Sequence, residues 1–302
     1  MRAPGTSLGA RLRLSARKMP AHTARVIWLT IEQRQRAGRR HGGTLRDCIY
    51  GQAVADALGV PYEFRPRGTF RCTGMVGHGS HNQPAGTWSD DTSMALAICD
   101  SYRELGRVDA DDIRTRFCRW YREGTYTVDD LFDIGGATAR ALDQGFGCAD
   151  EWDNGNGSLM RTVPLAFTDA RDEDIEAVSA ITHAHRTSTK ACVELVAIAR
   201  RLAAGVPMRE ATGPYAALAE RPVREVRSGG FVRDTLEAAL WCLLTTNSYR
   251  DCTLAAVNLG DDTDTTAAVA GALAGIVYGI EGIPAEWLGA LRGKNVIESC
   301  LF

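Results

Sequence analysis

The 302-residue sequence contains no long apolar run. None approaches the roughly 20 residues that span a bilayer, so no membrane-spanning helix is predicted. The longest apolar stretch near the N-terminus, residues 26–31, is too short for the core of a secretory signal. The nine cysteines form no CxxC pair and lack the spacing of a zinc site. This odd, scattered set predicts reduced, buried thiols in a cytoplasmic protein without membrane association.

Several catalytic signatures are also missing. The sequence has no nucleophile elbow, no Cys–His signature, no dinucleotide-binding glycine fingerprint and no Gly-Lys-Ser/Thr phosphate loop. No repeat with a period of 20–50 residues is visible, which argues against a helical solenoid. Alternation of apolar and polar residues with period two is almost absent, so strands are not expected.

The body of the chain has little positive charge relative to its acids. Residues 1–43 hold ten Arg or Lys and one acid, so they contribute +9 to a net charge of −2 and leave −11 on residues 44–302. The acidic body argues against nucleic-acid binding. We predict a basic, flexible extension over 1–43 and a folded domain over 44–302. The same composition also allows a start at Met19, a partner-binding arm or an organellar transit peptide.

Helical periodicity is abundant. Thr44 can cap a helix in which apolar residues recur every three or four positions. Predicted helices cover residues 44–57, 90–105, 111–123, 133–144, 172–184, 187–204, 208–219, 233–246, 249–258, 264–279 and 284–292. Polar, Gly-rich connections at 65–87, 145–159 and 221–230 separate them, and loops this long are usually functional. The predicted fold class is all-α.

Two acidic clusters lie far apart in the sequence, each at the start of a predicted helix. They are Ser89-Asp90-Asp91-Thr92 and Asp261-Asp262-Thr263-Asp264-Thr265. Acids in a first turn can be ordinary caps, but capping does not require an Asp-Asp-x-Asp repetition. Crowded carboxylates repel one another unless a cation lies among them, and Mg²⁺, Mn²⁺ and Ca²⁺ prefer carboxylate and hydroxyl oxygens. We therefore predict one shared site for a hard divalent cation.

Three further elements carry weaker signals. Glu63, between two aromatic residues, could bind a metal or transfer a proton, or could simply be exposed. The Asn-Gly-Asn-Gly-Ser run within residues 154–161 suits phosphate or ribose binding, or is a plain loop. His183 and His185 have no further His or Cys at zinc spacing, so a polar contact or a helix end is favoured there.

These five elements, in this order, resemble the ADP-ribosylglycohydrolase family, which includes dinitrogenase reductase-activating glycohydrolases and ADP-ribosylarginine hydrolases. The matching stretches are 51–64, 86–94, 155–161, 182–185 and 258–279. The resemblance implies an orthogonal multi-helix bundle over 44–302, whose cleft holds two divalent cations, Mg²⁺ or Mn²⁺. The metal ligands that it implies are Ser89, Asp90, Asp91, Asp262, Asp264 and Thr265. The ADP-ribose pocket that it implies is lined by Asp56, Asn156, Gly157, Ser158 and His183, with Glu63 and Asp91 as catalytic groups.

The sequence departs from the family pattern at two positions. Ser89 stands where many members have Thr, which keeps the hydroxyl, and Asp261 stands where some members have Gly. The resemblance implies a metal-dependent hydrolase that removes ADP-ribose from modified protein side chains, above all arginine. Its implied partner is an ADP-ribosylated protein.

Two alternatives to this activity remain open. One is an immunity protein that neutralises an ADP-ribosylating toxin by removing ADP-ribose or by occlusion through residues 1–43. The other is a non-catalytic, crystallin-like member that only binds ADP-ribose. A generic dimetal phosphatase would explain the carboxylates but not their order.

Overall fold

The computed structural model describes residues 42–302, and within them the chain is almost entirely helical. The α-helices of this range are α1 Leu45–Gly59, α2 Asp90–Leu105, α3 Ala110–Glu123, α4 Gly136–Gln144, α5 Asp172–Ala180, α6 Arg186–Ala203, α7 Met208–Ala211, α8 Val232–Thr245, α9 Tyr249–Val257, α10 Thr263–Tyr278, α11 Ala285–Ala290 and α12 Lys294–Cys300. Extended pairing in the same range is limited to isolated bridges. The all-α prediction is confirmed. The interpretations offered for the N-terminal extension fall on residues outside the described range, apart from its last two.

Helices α1 and α10 form the most extensive helix pair of the fold. A methyl group on Gly271 would lie 2.4 Å from the Gly51 carbonyl oxygen, far inside van der Waals contact, so the two backbones approach directly there. At the other end of the pair, the Thr263 hydroxyl donates to the Gly59 carbonyl at 2.8 Å. The C-terminal end of α1 therefore meets the N-terminal end of α10.

Helix α2 begins at the same place because its first turn binds a carboxylate of α1. The Asp56 side chain accepts hydrogen bonds from the backbone N–H groups of Ser89 at 2.9 Å and Thr92 at 3.1 Å. It also accepts one from the Thr92 hydroxyl at 2.6 Å. A carboxylate from α1 thus satisfies N–H groups that a helix start leaves unpaired. Three helix ends converge as a result.

Most helix bounds lie within a few residues of the predictions, with four exceptions. Helix α4 begins at Gly136 instead of residue 133, and α5 ends at Ala180 instead of 184. The predicted helix 208–219 divides into α7 and a 3-10 helix, Gly213–Glu220, because Pro214 lacks an N–H and Gly213 has a φ of +53°. Helix α12 was not predicted, since its seven residues are too few for a clear period.

The predicted burial of the cysteines is confirmed for most of them. All nine cysteines are free and eight are buried, with Cys118 partly exposed. Within residues 42–302 no helix combines the length and the apolar character that crossing a membrane requires.

Candidate functional site

The two acidic clusters meet where α1, α2 and α10 converge. The hydroxyls of Ser89, at 3.0 Å, and of Thr265, at 3.3 Å, both donate to the same oxygen of Asp91, Oδ2. Oxygens of Asp56, Asp91 and Asp264 all lie within 4.8 Å of one another. The prediction that the clusters share one place in the fold is therefore correct.

The carboxylates of this site have oxygens that no protein group satisfies. Among the described residues, Asp91 Oδ1, Asp262 Oδ1 and Asp264 Oδ2 are buried and have no hydrogen-bond partner. A buried, unpaired carboxylate oxygen costs free energy that a bound cation offsets. The donor set is carboxylate and hydroxyl oxygen, which suits a hard divalent cation. The residues therefore fit a metal site.

Electrostatics in the cluster agree with that fit. The carboxyl pKa values of Asp90, Asp91 and Asp264 are raised well above their usual range. Burial is the largest cause for each, and the charges of neighbouring carboxylates add to it. The pKa of Asp262 is raised by burial as well. A cation bound among these carboxylates would offset the cost of their burial and their mutual repulsion, and so favour the ionised forms.

Asp56 has a different environment from the other carboxylates. It is fully buried, and hydrogen bonds from the start of α2 occupy both of its oxygens. Burial raises the pKa of Asp56 to about 6, although the bonds from Thr92 and Ser89 lower it. Asp56 therefore fixes α2 against α1, and its predicted role in the ADP-ribose pocket stays a prediction.

Glu63 lies immediately beyond the end of α1. A single 3-10 turn, Val60–Tyr62, follows that helix and delivers Glu63, which is buried, to the site. The Ser80 hydroxyl donates to the Glu63 carbonyl at 2.6 Å, so the returning loop fixes the backbone. Burial raises the pKa of the Glu63 carboxyl to about 7, while its hydrogen bond with His81 lowers it and the charge of Asp133 raises it.

Two residues of this region were missed by the sequence analysis. Atoms of His81 and Asp133 lie within 4.8 Å of atoms of Glu63 and Asp264, in a second group able to hold a metal. His81 lies in the long loop 65–87, whose length was the only signal. Asp133 was placed inside a predicted helix, but that helix begins at Gly136 and leaves Asp133 in the preceding loop. Phe132 packs beside the His81 ring, with centroids 5.3 Å apart.

The loop that carries the Asn-Gly-Asn-Gly-Ser run, residues 154–158, contacts the second acidic cluster. The side-chain amide of Asn156 donates to Asp262 Oδ2 at 2.7 Å and to the Thr235 hydroxyl at 2.9 Å. The Asn156 backbone N–H donates to the carbonyl of Gly230 at 3.0 Å. Short 3-10 turns follow this loop, beginning with Leu159–Arg161. The structure therefore joins the predicted nucleotide loop to the predicted metal site.

Ser158 and His183 stand behind this loop. The Ser158 hydroxyl is buried and accepts a hydrogen bond from the Ser179 hydroxyl at 2.9 Å. The His183 ring lies against Gly157, where a methyl group would come within 2.9 Å of Cε1. Burial lowers the pKa of His183 to about 3, and the charges of two arginines add to this effect.

The two histidines of the His-x-His pair have separate structural roles. His183 Nδ1 is hydrogen-bonded to the Thr182 hydroxyl at 2.8 Å. His185 caps the N-terminus of α6, where its Nδ1 accepts the N–H of Thr187 at 3.2 Å. This agrees with the preference for a polar contact and a helix end over a zinc site.

Fold and site together define an all-α protein with a carboxylate-rich site, able to hold a metal ion, at converging helix ends. The chain belongs to the ADP-ribosylglycohydrolase family of hydrolases, whose model, ADP-ribosylglycohydrolase, matches residues 40–301. It is 36% identical to "ADP-ribosylarginine hydrolase Tri1" of Pseudomonas putida (strain GB-1), over 80% of this chain and 72% of that protein.

Two further comparisons agree with this membership. The chain is 33% identical to "ADP-ribosyl-[dinitrogen reductase] glycohydrolase" of Rhodospirillum rubrum, over 82% of this chain and 90% of that protein. A solved structure titled "ADP-ribosylglycohydrolase-related protein complex" matches with a TM-score of 0.72 at 34% identity. That match covers 84% of this chain and 94% of the solved one.

Proposed function

We propose that the protein hydrolyses the N-glycosidic bond between ADP-ribose and an arginine side chain of a modified protein. The observation that carries this proposal is the set of buried, unpaired carboxylate oxygens on Asp91, Asp262 and Asp264, adjoining the loop of Asn156. Similarity to a relative named as an ADP-ribosylarginine hydrolase supports arginine as the acceptor.

Two divalent cations, Mg²⁺ or Mn²⁺, fit the donor set of the site. The proposed ligands are Ser89, Asp90, Asp91, Asp262, Asp264 and Thr265. When bound, such ions orient the ribose hydroxyls and stabilise the charge that develops as the glycosidic bond breaks. Asp56 and Thr263 tie the ends of α1, α2 and α10 together and so bring the proposed ligand side chains to one place.

Glu63 and Asp91 are the proposed catalytic groups. Glu63 sits on a turn outside the helices and has a carboxyl pKa raised to about 7, which suits proton exchange near neutral pH. Asp91 accepts hydrogen bonds from two hydroxyls, so it is held more rigidly. We assign removal of the proton from the attacking water to Glu63 and orientation of that water to Asp91.

The rest of the substrate would lie along the loop that adjoins Asp262. Asn156, Gly157 and Ser158 are proposed to contact the ADP-ribose, with His183 behind them and Asp56 beneath the ribose site. Position 157 requires a glycine, since a larger side chain would collide with the His183 ring. These contacts would fix the ribose carbon relative to Glu63.

The acceptor can be tested by comparing two defined substrates. Labelled ADP-ribose attached to arginine and, separately, to serine of a carrier protein should be released at very different rates. We expect arginine to be favoured by about 10²-fold or more, because a site built to bind a charged, hydrogen-bonding group discriminates strongly against one that lacks it. Measuring kcat/KM on both substrates gives the ratio. Equal rates, or faster release from serine, would refute the arginine assignment.

A further inference from the structure

Within residues 42–302, Arg161 forms no ion pair with a carboxylate. Its side chain is fully buried, and the guanidinium lies over the Phe117 ring, with Cζ 4.6 Å from the centroid. One nitrogen donates to the Gly157 carbonyl at 3.0 Å. The other donates to the Thr182 hydroxyl oxygen at 2.8 Å and to the Val178 carbonyl at 3.2 Å. A buried cation so placed connects the proposed nucleotide loop to Thr182.

The Thr182 hydroxyl has two partners among the described residues, and their chemistry is fixed. Arg161 can only donate, so the Thr182 oxygen is the acceptor in that bond. The remaining hydroxyl hydrogen then points to Nδ1 of His183, 2.8 Å away. The reverse arrangement, with a proton on Nδ1, would leave a buried hydroxyl hydrogen unpaired and is disfavoured by roughly tenfold or more.

The backbone around His183 is held as well. Cys148 donates its N–H to the Thr182 carbonyl at 2.9 Å and accepts the Ala184 N–H at 2.7 Å. The His183 N–H itself donates to the Ser179 carbonyl at 3.0 Å. These hydrogen bonds fix the backbone from which the imidazole extends toward Thr182 and Gly157.

With Nδ1 as an acceptor, a neutral imidazole carries its proton on Nε2. Nε2 has no hydrogen-bond partner within residues 42–302, and it lies against the proposed nucleotide loop. A methyl group on Gly155 would be 3.3 Å from it and one on Gly157 would be 3.4 Å from it. A neutral N–H donor is therefore presented beside the loop that contacts Asp262.

We propose that Arg161 and Thr182 are positioning residues that fix His183 as the Nε2–H tautomer, whose N–H donates to the ADP-ribose bound along residues 154–158. The substrate part of this inference rests on the proposed function. The tautomer part rests only on the hydrogen bonds of the protein. The charge of Arg161, close to the ring, disfavours a second proton on His183 and acts in the same direction.

The direct test is the nitrogen-15 NMR spectrum of the His183 ring in the full-length protein, assigned by its loss in His183→Gln. We expect an unprotonated Nδ1 that accepts a hydrogen bond and a protonated Nε2. Thr182→Val should shift the Nδ1 resonance because that bond is lost, whereas Thr182→Ser should retain the original pattern. A proton on Nδ1 in the unmodified protein, or the same Nδ1 shift in Thr182→Val, would overturn the proposal.

Calorimetric titration with ADP-ribose provides the second readout. Thr182→Val should weaken binding by about tenfold and Thr182→Ser by no more than about twofold. Thr253→Val is the matched control, since Thr253 is a buried threonine of α9 that bonds a carbonyl of its own helix. Equal affinities for Thr182→Val and the control would contradict the positioning role. Absence of ADP-ribose binding by the unmodified protein would instead refute the proposed function, while the NMR test still decides the tautomer.

Discussion

Replacing Asp264 by Asn should lower the rate of ADP-ribose release by about 10³-fold or more. Asp264 belongs to both groups of potential metal ligands, and one of its oxygens is buried without a partner. Asn has the same shape but no charge, so it binds a divalent cation poorly, and loss of the cation removes several kcal/mol of transition-state stabilisation, or about 10³-fold in rate. Single-turnover release of labelled ADP-ribose measures the change.

The same substitution should stabilise the metal-free protein. Burial and neighbouring carboxylates both disfavour the charged form of Asp264, as its raised pKa indicates, and Asn removes that charge. Activity should therefore fall while the melting temperature measured in chelator rises, which separates loss of a ligand from misfolding. Asp261→Asn is the control, since Asp261 is exposed and its φ of +61° is tolerated by Asn. An active Asp264→Asn variant would rule out this ligand role.

Glu63→Gln should have the second largest effect, a loss of about 10²- to 10⁴-fold in kcat. Gln keeps the size of Glu and one acceptor oxygen, but its amide cannot take a proton. Because Asp91, Asp262 and Asp264 remain, metal affinity and KM should change much less than kcat. The pH dependence of kcat gives a second check. The decline of kcat at low pH, where the Glu63 carboxyl becomes protonated, should disappear in the variant.

Glu281→Gln is a matched control for Glu63, because Glu281 is exposed in a separate 3-10 turn, Ile280–Gly282. It should leave kcat unchanged. If Glu63→Gln lowered the metal affinity by as large a factor as kcat, Glu63 would be a metal ligand and the proton-transfer role would be wrong.

The sequence predicts the helical framework and the acidic clusters because both depend on local patterns. Ser89 precedes α2 as a cap, and the small residues of α10 indicate a helix that packs closely. Their convergence at Asp91 was predicted from the matching carboxylate and hydroxyl chemistry of the two clusters. The start of α4 was harder to predict, since Asp133 is a favoured N-cap residue, whereas the actual cap is Gly135 and the helix starts at Gly136.

The direction of a side chain was much harder to predict than its presence in the site. The sequence did not indicate that both oxygens of Asp56 accept hydrogen bonds from the start of α2. It did not indicate either that the Ser158 hydroxyl accepts a hydrogen bond from Ser179. His81 and Asp133 reach the site only after two loops fold back over Glu63. Contacts between distant loops leave no periodicity or spacing in the sequence.

The most direct test of a metal-dependent ADP-ribosylglycohydrolase is release of labelled ADP-ribose from an arginine-modified protein by the full-length chain. The rate should be measured after treatment with chelator, and again after adding Mg²⁺ or Mn²⁺ in excess. The buried, unpaired oxygens of Asp91, Asp262 and Asp264 predict that chelator lowers the release rate by about 10³-fold. Adding Mg²⁺, Mn²⁺ or both should restore the rate. An unchanged rate in chelator would contradict the metal-dependent mechanism.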